Sequence, residues 1–168
     1  MPQSPRPPFI ANYMDLLKPF ERAPEGMNGA SARFGPPFGL QRIGINVEII
    51  PPGNRSSLPH AEKLEEEFVY VLAGTPDVWI DGELFELNPG DGVGFPAGTG
   101  VAHSFLNNSD ADVHLLIVGE HDVAGNQLNY PINPERMKVF TRLKRAWLDA
   151  PVRPLGLHDG VARAGTRK

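Results

Sequence analysis

Glycine and proline interrupt this sequence throughout, with 18 residues of each among its 168. Both residues favour turns and end regular elements, so they divide the chain into short segments. Several of these segments are rich in β-branched and aromatic residues and recur at regular spacing, which is typical of an all-β sandwich or barrel. We therefore predict an all-β fold that forms a single domain with one hydrophobic core.

The predicted strands follow an irregular N-terminal arm. Apolar residues alternate with Gly44, Asn46 and Glu48 from Ile43 to Ile49, which is the period of a strand. Asp81-Gly82, between two β-rich segments, is a strong signal for a two-residue hairpin. Further strands are predicted at 68–72, 77–80, 84–87, 102–106 and 113–118.

We divide the chain into an arm at 1–40, a barrel at 41–121 and a C-terminal helix with a basic tail at 122–168. Asn133 followed by Pro134 resembles the start of a helix. Four positions then fall on one helical face: Met137, Phe140, Leu143 or Lys144, and Trp147. Four residues make the tail basic: Arg153, Arg163, Arg167 and Lys168.

Composition narrows the function classes. The net charge of −4 disfavours nucleic acid and anionic membranes as partners, and no apolar run approaches the length of a membrane helix. The chain has no cysteine, which excludes disulfides and thiolate chemistry. Residues 1–8 lack the apolar stretch of a secretory signal. A cytoplasmic protein is therefore expected.

Four residues form the candidate site: His60, Glu62, Glu67 and His103. His60 and Glu62 share one face of a strand because side chains alternate. If Glu67 points inward at the head of the next strand, Val69 and Val71 point inward with it. Three segments could thus direct two imidazoles and two carboxylates to one interior point.

Such a donor set suits a divalent metal ion. Two imidazoles with one or two carboxylates bind iron, manganese, zinc or nickel, and the second carboxylate favours manganese or iron, with zinc still compatible. Without a metal, two buried carboxylates close together would repel, and one would retain its proton.

These residues also carry a family resemblance. Five residues resemble the first motif of the cupin superfamily: Gly53, His60, Glu62, Glu67 and Gly74. Five further residues resemble the second motif: Gly90, Pro96, Gly98, His103 and Asn107. The resemblance covers roughly residues 53–120 and is most similar to small single-domain bacterial cupins.

The resemblance implies a cupin-type double-stranded β-helix, a jelly-roll barrel, with the four residues as metal ligands. Oxygenase, isomerase and lyase chemistry all occur among cupins, and others bind ligands without metal. Glu62 stands where most cupins have their second histidine. One extra residue precedes His60, and two precede His103.

Each of these residues also has a plainer interpretation. His60 and His103 could be hydrogen-bonded core histidines. Glu62 could bind metal, orient a histidine, form a salt bridge or act as a general base. Glu65 and Glu66 are expected to be a solvated charge run.

Three functions stay open: a metal-dependent enzyme, a metal-free binding protein or sensor for a sugar or small acid, and a structural or partner-binding protein with a side-chain-filled interior. We also expect a homodimer, because Phe68, Tyr70 and Leu72 would project outward from one strand.

Overall fold

The computed structural model describes residues 6–21 and 24–166. It shows the predicted all-β fold, in which antiparallel sheets form a jelly roll. The first five residues of the N-terminal segment lie outside the described residues, as do Arg167 and Lys168 of the basic tail. None of the helices in these two ranges has both the length and the apolar composition that a membrane span requires.

Within these two ranges the chain forms short strands and three helices. The strands are β1 (Lys18–Pro19), β2 (Ala30–Arg33), β3 (Ile43–Ile50), β4 (Ala61–Glu62), β5 (Glu67–Ala73), β6 (Asp77–Ile80), β7 (Glu83–Glu86), β8 (Gly92–Phe95), β9 (His103–Leu106), β10 (Val113–Glu120) and β11 (Leu128–Asn129). The helices are α1 (Tyr13–Leu16), α2 (Gly35–Phe38) and α3 (Pro134–Arg142).

Two larger sheets enclose the core. One has the strand order β1-β2-β3-β10-β5-β8, and the other has the order β7-β6-β9. A small third sheet pairs β4 with β11. The core between the larger sheets contains Val69, Val71, Phe105 and Leu115, and we call the side of each strand that faces it the inner face.

β5 directs the side chains predicted to point inward to the inner face. Val69 and Val71 are buried, whereas Phe68, Tyr70 and Leu72 are exposed. This confirms the alternation of this strand. The β3 alternation places Glu48 on the inner face, because Glu48 is paired with Leu115, which is paired with Val71.

The predicted hairpin joins β6 to β7. Asp81 and Gly82 both have positive φ, 48° and 91°. This is the backbone of a tight hairpin turn whose twist matches the strands. At Gly82 a Cβ atom would lie 2.5 Å from the backbone of Gly156, so only glycine lets the tail pass this closely.

The C-terminal segment covers the outside of β6 and β9. A second core forms there from Trp79, Leu106, Trp147 and neighbouring alanines. The Trp79 indole donates to the carbonyl oxygen of His158 at 2.8 Å, which fixes the tail in an extended path.

The predicted helix is shorter than its apolar pattern suggested. The Asn133 side chain caps its first turn by accepting from the Arg136 amide, as expected. The helix ends at Arg142, however, and Lys144 has a left-handed φ of 57°. Trp147 is buried by the second core and not by a helical face.

The arm is only partly irregular. Its strand β2 pairs antiparallel with β3 and extends the large sheet, and β1 pairs with β2 in turn. The arm therefore covers an edge of its own sheet.

Candidate active site

The two histidines face each other across an isolated backbone bridge. The His60 amide donates to the His103 carbonyl oxygen at 3.2 Å, and the reverse bond measures 2.9 Å. Side chains of directly paired residues share one face of an antiparallel pair. Their ring centres consequently lie 5.2 Å apart.

Each imidazole is paired with a carboxylate. His103 Nε2 lies 3.1 Å from Glu67 Oε1, and His60 Nε2 lies 3.7 Å from Glu62 Oε1. The structure thus brings all four predicted residues into one neighbourhood, as two histidine–glutamate pairs.

The other ring nitrogen of each histidine faces a backbone carbonyl. His60 Nδ1 lies 2.9 Å from the oxygen of Leu58, and His103 Nδ1 lies 3.5 Å from the oxygen of Val101. A carbonyl accepts but cannot donate, so Nδ1 carries the hydrogen of the neutral ring. Nε2 therefore donates to its carboxylate when the ring is protonated, and its lone pair is free for a metal ion when the ring is neutral.

The two members of the first pair shift each other's ionisation. Burial alone would lower the pKa of His60, but its hydrogen bond with Glu62 and the charges of Glu67 and Glu62 raise that pKa above its usual value. Burial alone would raise the pKa of Glu62, but its bonds with His60, Glu65 and Asn126 lower it overall. The pair is therefore stabilised in its charged form when no metal is bound.

Glu65 belongs to the site, contrary to the expectation of a solvated charge run. Its Oε1 accepts from the Val123 amide at 2.8 Å, and its carboxyl group hydrogen-bonds Glu62. Burial, followed by the interactions with Glu62, raises the pKa of Glu65 despite the Val123 bond. Two carboxyl groups in contact hold one proton more readily than separate ones do.

A loop after β10 fixes Glu62 in place. The Asn126 amide nitrogen donates to Glu62 Oε2 at 3.1 Å, while its oxygen accepts from the Leu64 amide at 3.0 Å. Asn126 is itself buried. Each oxygen of Glu62 thus has a neighbour: Oε2 accepts from Asn126, and Oε1 lies near His60.

Aromatic rings hold the two imidazoles. Phe95 stacks on His103 with ring centres 3.5 Å apart and planes within 7°. Tyr130 stacks on His60 at 5.8 Å. Because both imidazoles are packed against rings, neither rotates without losing that contact.

A further carboxyl group lies on the inner face of β3. Glu48 Oε2 is enclosed and has no hydrogen-bond partner among the described residues. Burial and then the charge of Glu67 raise the pKa of Glu48 to about 8, against the lowering effect of Arg33. Glu48 therefore keeps its proton at neutral pH.

The space between these groups is small. A cavity of about 10 Å³, called the site cavity below, holds no more than a single water molecule or ion. It is lined by Glu62, Glu65, Glu67, Phe95, Pro96, Thr99, Val101 and His103. Across the described part of the chain, no three His, Asp or Glu side chains converge into a ready-made metal site.

Sequence reasoning missed four of the residues that shape this site. Glu65 lies two positions before Glu67 but outside β5, which begins at Glu67, so strand alternation did not indicate its position. Glu48 belongs to the polar half of the β3 alternation, which indicates a solvent-facing side chain, so the pattern pointed away from its buried position on the inner face. Asn126 and Tyr130 act across long sequence separations, and no local pattern indicates them.

Comparison with known proteins supports the fold. A family model described as Cupin domain matches residues 46–119, from β3 to β10. Over 72 residues the chain is 35% identical to the polyketide synthase CurC of Streptomyces cyaneus, a match over 43% of this chain and 45% of that protein. The chain thus spans about half the length of the curated relatives it matches.

Two solved structures are similar over most of this chain. One is a protein of Acidithiobacillus ferrooxidans with the provisional name sugar phosphate isomerase, at 26% identity and a TM-score of 0.67, covering 77% of this chain and 83% of that one. The other is a sugar phosphate isomerase from a cupin superfamily, from Silicibacter pomeroyi, at 30% identity and a TM-score of 0.62, covering 70% and 78%.

Proposed function

Since this chain belongs to the cupin superfamily, we propose that it binds one divalent metal ion and acts on a small molecule at that ion. Four side chains are proposed as the ligands: His60, Glu62, Glu67 and His103.

The orientation of the two imidazoles carries this proposal. Each keeps Nδ1 against a backbone carbonyl and turns Nε2 toward a carboxylate. Histidines that bind metals are held in the same way, since a bond at one nitrogen fixes the tautomer that leaves the other free. A metal ion would take the place of the direct contact between His103 and Glu67.

The donor set fits the proposed ion. Two imidazole nitrogens and two carboxylates suit manganese, iron or zinc, and the two negative charges offset the charge of the ion. When bound, such an ion would polarise a carbonyl or hydroxyl oxygen of the substrate as a Lewis acid.

Glu65 is the group that we assign to proton transfer. It lines the site cavity and shares a hydrogen bond with Glu62. Burial raises the pKa of Glu65, and a carboxyl group that retains its proton to higher pH can donate that proton to a bound molecule and take it back. Proton transfer between neighbouring carbon atoms is the chemistry of one group of isomerases, and isomerase is the class that the names of both structural relatives give.

Elemental analysis of protein purified without added metal tests the metal site. We expect close to one manganese, iron or zinc per chain, and we expect His103→Ala and the milder Glu67→Gln to lose most of it. His114→Ala is the matched control, because His114 contacts Tyr13 and lies outside the site cavity. Metal retained in full by folded His103→Ala would contradict the proposed ligand set.

A second candidate is a binding protein without metal. The direct contact of His103 with Glu67 favours it, because the pair satisfies its own hydrogen bond without an ion. It predicts that protein treated with a chelator gains thermal stability with fructose or oxalate as the probe. A gain that appears only after manganese is restored would contradict this candidate.

A further inference from the structure

An open groove of about 990 Å³ adjoins the site cavity. It is lined by residues 41–43, 66–68, 94–96 and 118–123, at one end of the large sheet. Glu67, Phe95 and Pro96 line both the groove and the site cavity. A molecule in the groove therefore lies directly beside the proposed metal ligands.

One wall of the groove is apolar. Phe68 and Ile43 expose 44% and 41% of their surfaces, and Val118 lies between their strands on β10. Large apolar side chains clustered beside a polar cavity are typical of small-molecule sites. The wall can accommodate an apolar body of a ligand whose polar end reaches the site cavity.

The groove and the site cavity are strongly acidic. Among the described residues that line the two spaces, six carboxyl groups outnumber the basic groups, which are the guanidinium of Arg42 and the imidazoles of His103 and His121. A divalent ion would offset two of these carboxylates. The six are Glu62, Glu65, Glu66, Glu67, Glu120 and Asp122.

We infer that the ligand is an uncharged molecule with an apolar ring-like body on Phe68 and a carbonyl or hydroxyl group at the site cavity. A phosphorylated sugar, with about two negative charges, would be repelled by this lining. The inference rests on the proposed function, because the polar end of the ligand is placed at the proposed metal ligands.

Two matched pairs of probes test the charge preference: 2-naphthol against 2-naphthyl phosphate, and fructose against fructose 6-phosphate. Calorimetry of the full chain at low salt should give at least tenfold tighter binding of 2-naphthol than of its phosphate. Because salt screens exposed charges, the difference should shrink at about 1 M sodium chloride. Tighter binding of both phosphates than of their neutral partners would overturn the inference.

Variants of the apolar wall test the position of the ring. Phe68→Ala should weaken 2-naphthol about tenfold. Leu72→Ala is the matched control, since Leu72 is exposed on the same face of β5 but does not line the groove. Equal loss in both variants, together with dissociation of a dimer on a sizing column, would assign this face to a second copy of the chain and overturn the inference.

Neutralising the acidic rim tests the electrostatic argument itself. The double variant Glu120→Gln and Asp122→Asn should strengthen 2-naphthyl phosphate several-fold and leave 2-naphthol within twofold. An unchanged ratio between the two probes would overturn the role of the rim.

Metal content, measured on the same samples, separates this inference from the proposed function. Full metal content without binding of any neutral probe refutes the inference alone. Binding of 2-naphthol by protein that contains no metal as purified refutes the metal site alone.

Discussion

Replacing Glu48 by glutamine is expected to stabilise the protein at neutral pH and to leave it unchanged in acid. Folding raises the pKa of Glu48 from 4.5 to about 8. Above pH 4.5 the carboxyl group ionises in the unfolded chain, whereas in the folded chain it stays neutral until about pH 8. Its contribution to stability is therefore complete below pH 4.5 and is lost as the pH rises toward 8.

The size of this loss follows from the two pKa values. Each pH unit in the window corresponds to about 1.4 kcal/mol, so the loss reaches about 3 kcal/mol at pH 7 and about 5 kcal/mol above pH 8. Glutamine has nearly the same shape and cannot ionise. Glu48→Gln should therefore exceed the parent in free energy of unfolding by these amounts.

Urea unfolding between about pH 4.5 and 8.5 measures this difference. Trp79 and Trp147 are both buried in the second core, so their fluorescence reports the loss of contact between the β7-β6-β9 sheet and the tail. A chelator is added so that no metal ion neutralises Glu67, because the charge of Glu67 contributes to the raised pKa of Glu48. Glu83→Gln, at an exposed position on β7, is the control and should track the parent.

One result would refute the reasoning. If Glu48→Gln and the parent differ by the same amount at pH 5 and pH 8, Glu48 ionises equally in the folded and unfolded chains. Contributions of the histidines to the pH dependence cancel in this comparison, because both proteins contain them.

Phe95→Ala should lower the free energy of unfolding by about 3–5 kcal/mol, because a buried ring stacked on His103 is lost; an unchanged melting temperature would contradict this. Asp81→Asn should cost about 1–3 kcal/mol by weakening its bond with Arg153, and hydrogen exchange at 151–160 should rise; equal protection would count against it. In chelated protein, the stability contributed by His60 should be complete below pH 6.5 and fade as the pH rises through its raised folded pKa. His60→Gln tests this, and a destabilisation that grows with pH would be the wrong sign.

Turn chemistry and strand alternation made most of the fold predictable. Asp81-Gly82 located the hairpin because few residues adopt its positive φ, and the β5 alternation placed Val69 and Val71 on the inner face. The helix was predicted too long, because Trp147 continued its apolar spacing. That tryptophan packs against Trp79 and the tail, a long-range contact that periodicity does not contain.

The candidate site was predictable as a neighbourhood of four residues and not as an arrangement. Alternation indicates which face bears a side chain, and the motif spacing brought the strands together. Whether His103 contacts Glu67 depends on side-chain packing, including the ring of Phe95. The bond from Asn126 to Glu62 spans 64 residues, so no local signal could indicate it.

The tail packed behind β6 and β9 has a practical consequence for anyone who labels or trims this protein. Trp79 and Leu106 rest on Trp147 and Ala162, and β9 begins with His103. A cut after Arg142 would remove Trp147 and Ala162, which pack against the strand that carries His103. The effect would therefore reach a site far from the cut. Reporter groups near residue 160 require the same caution as mutations at the candidate site.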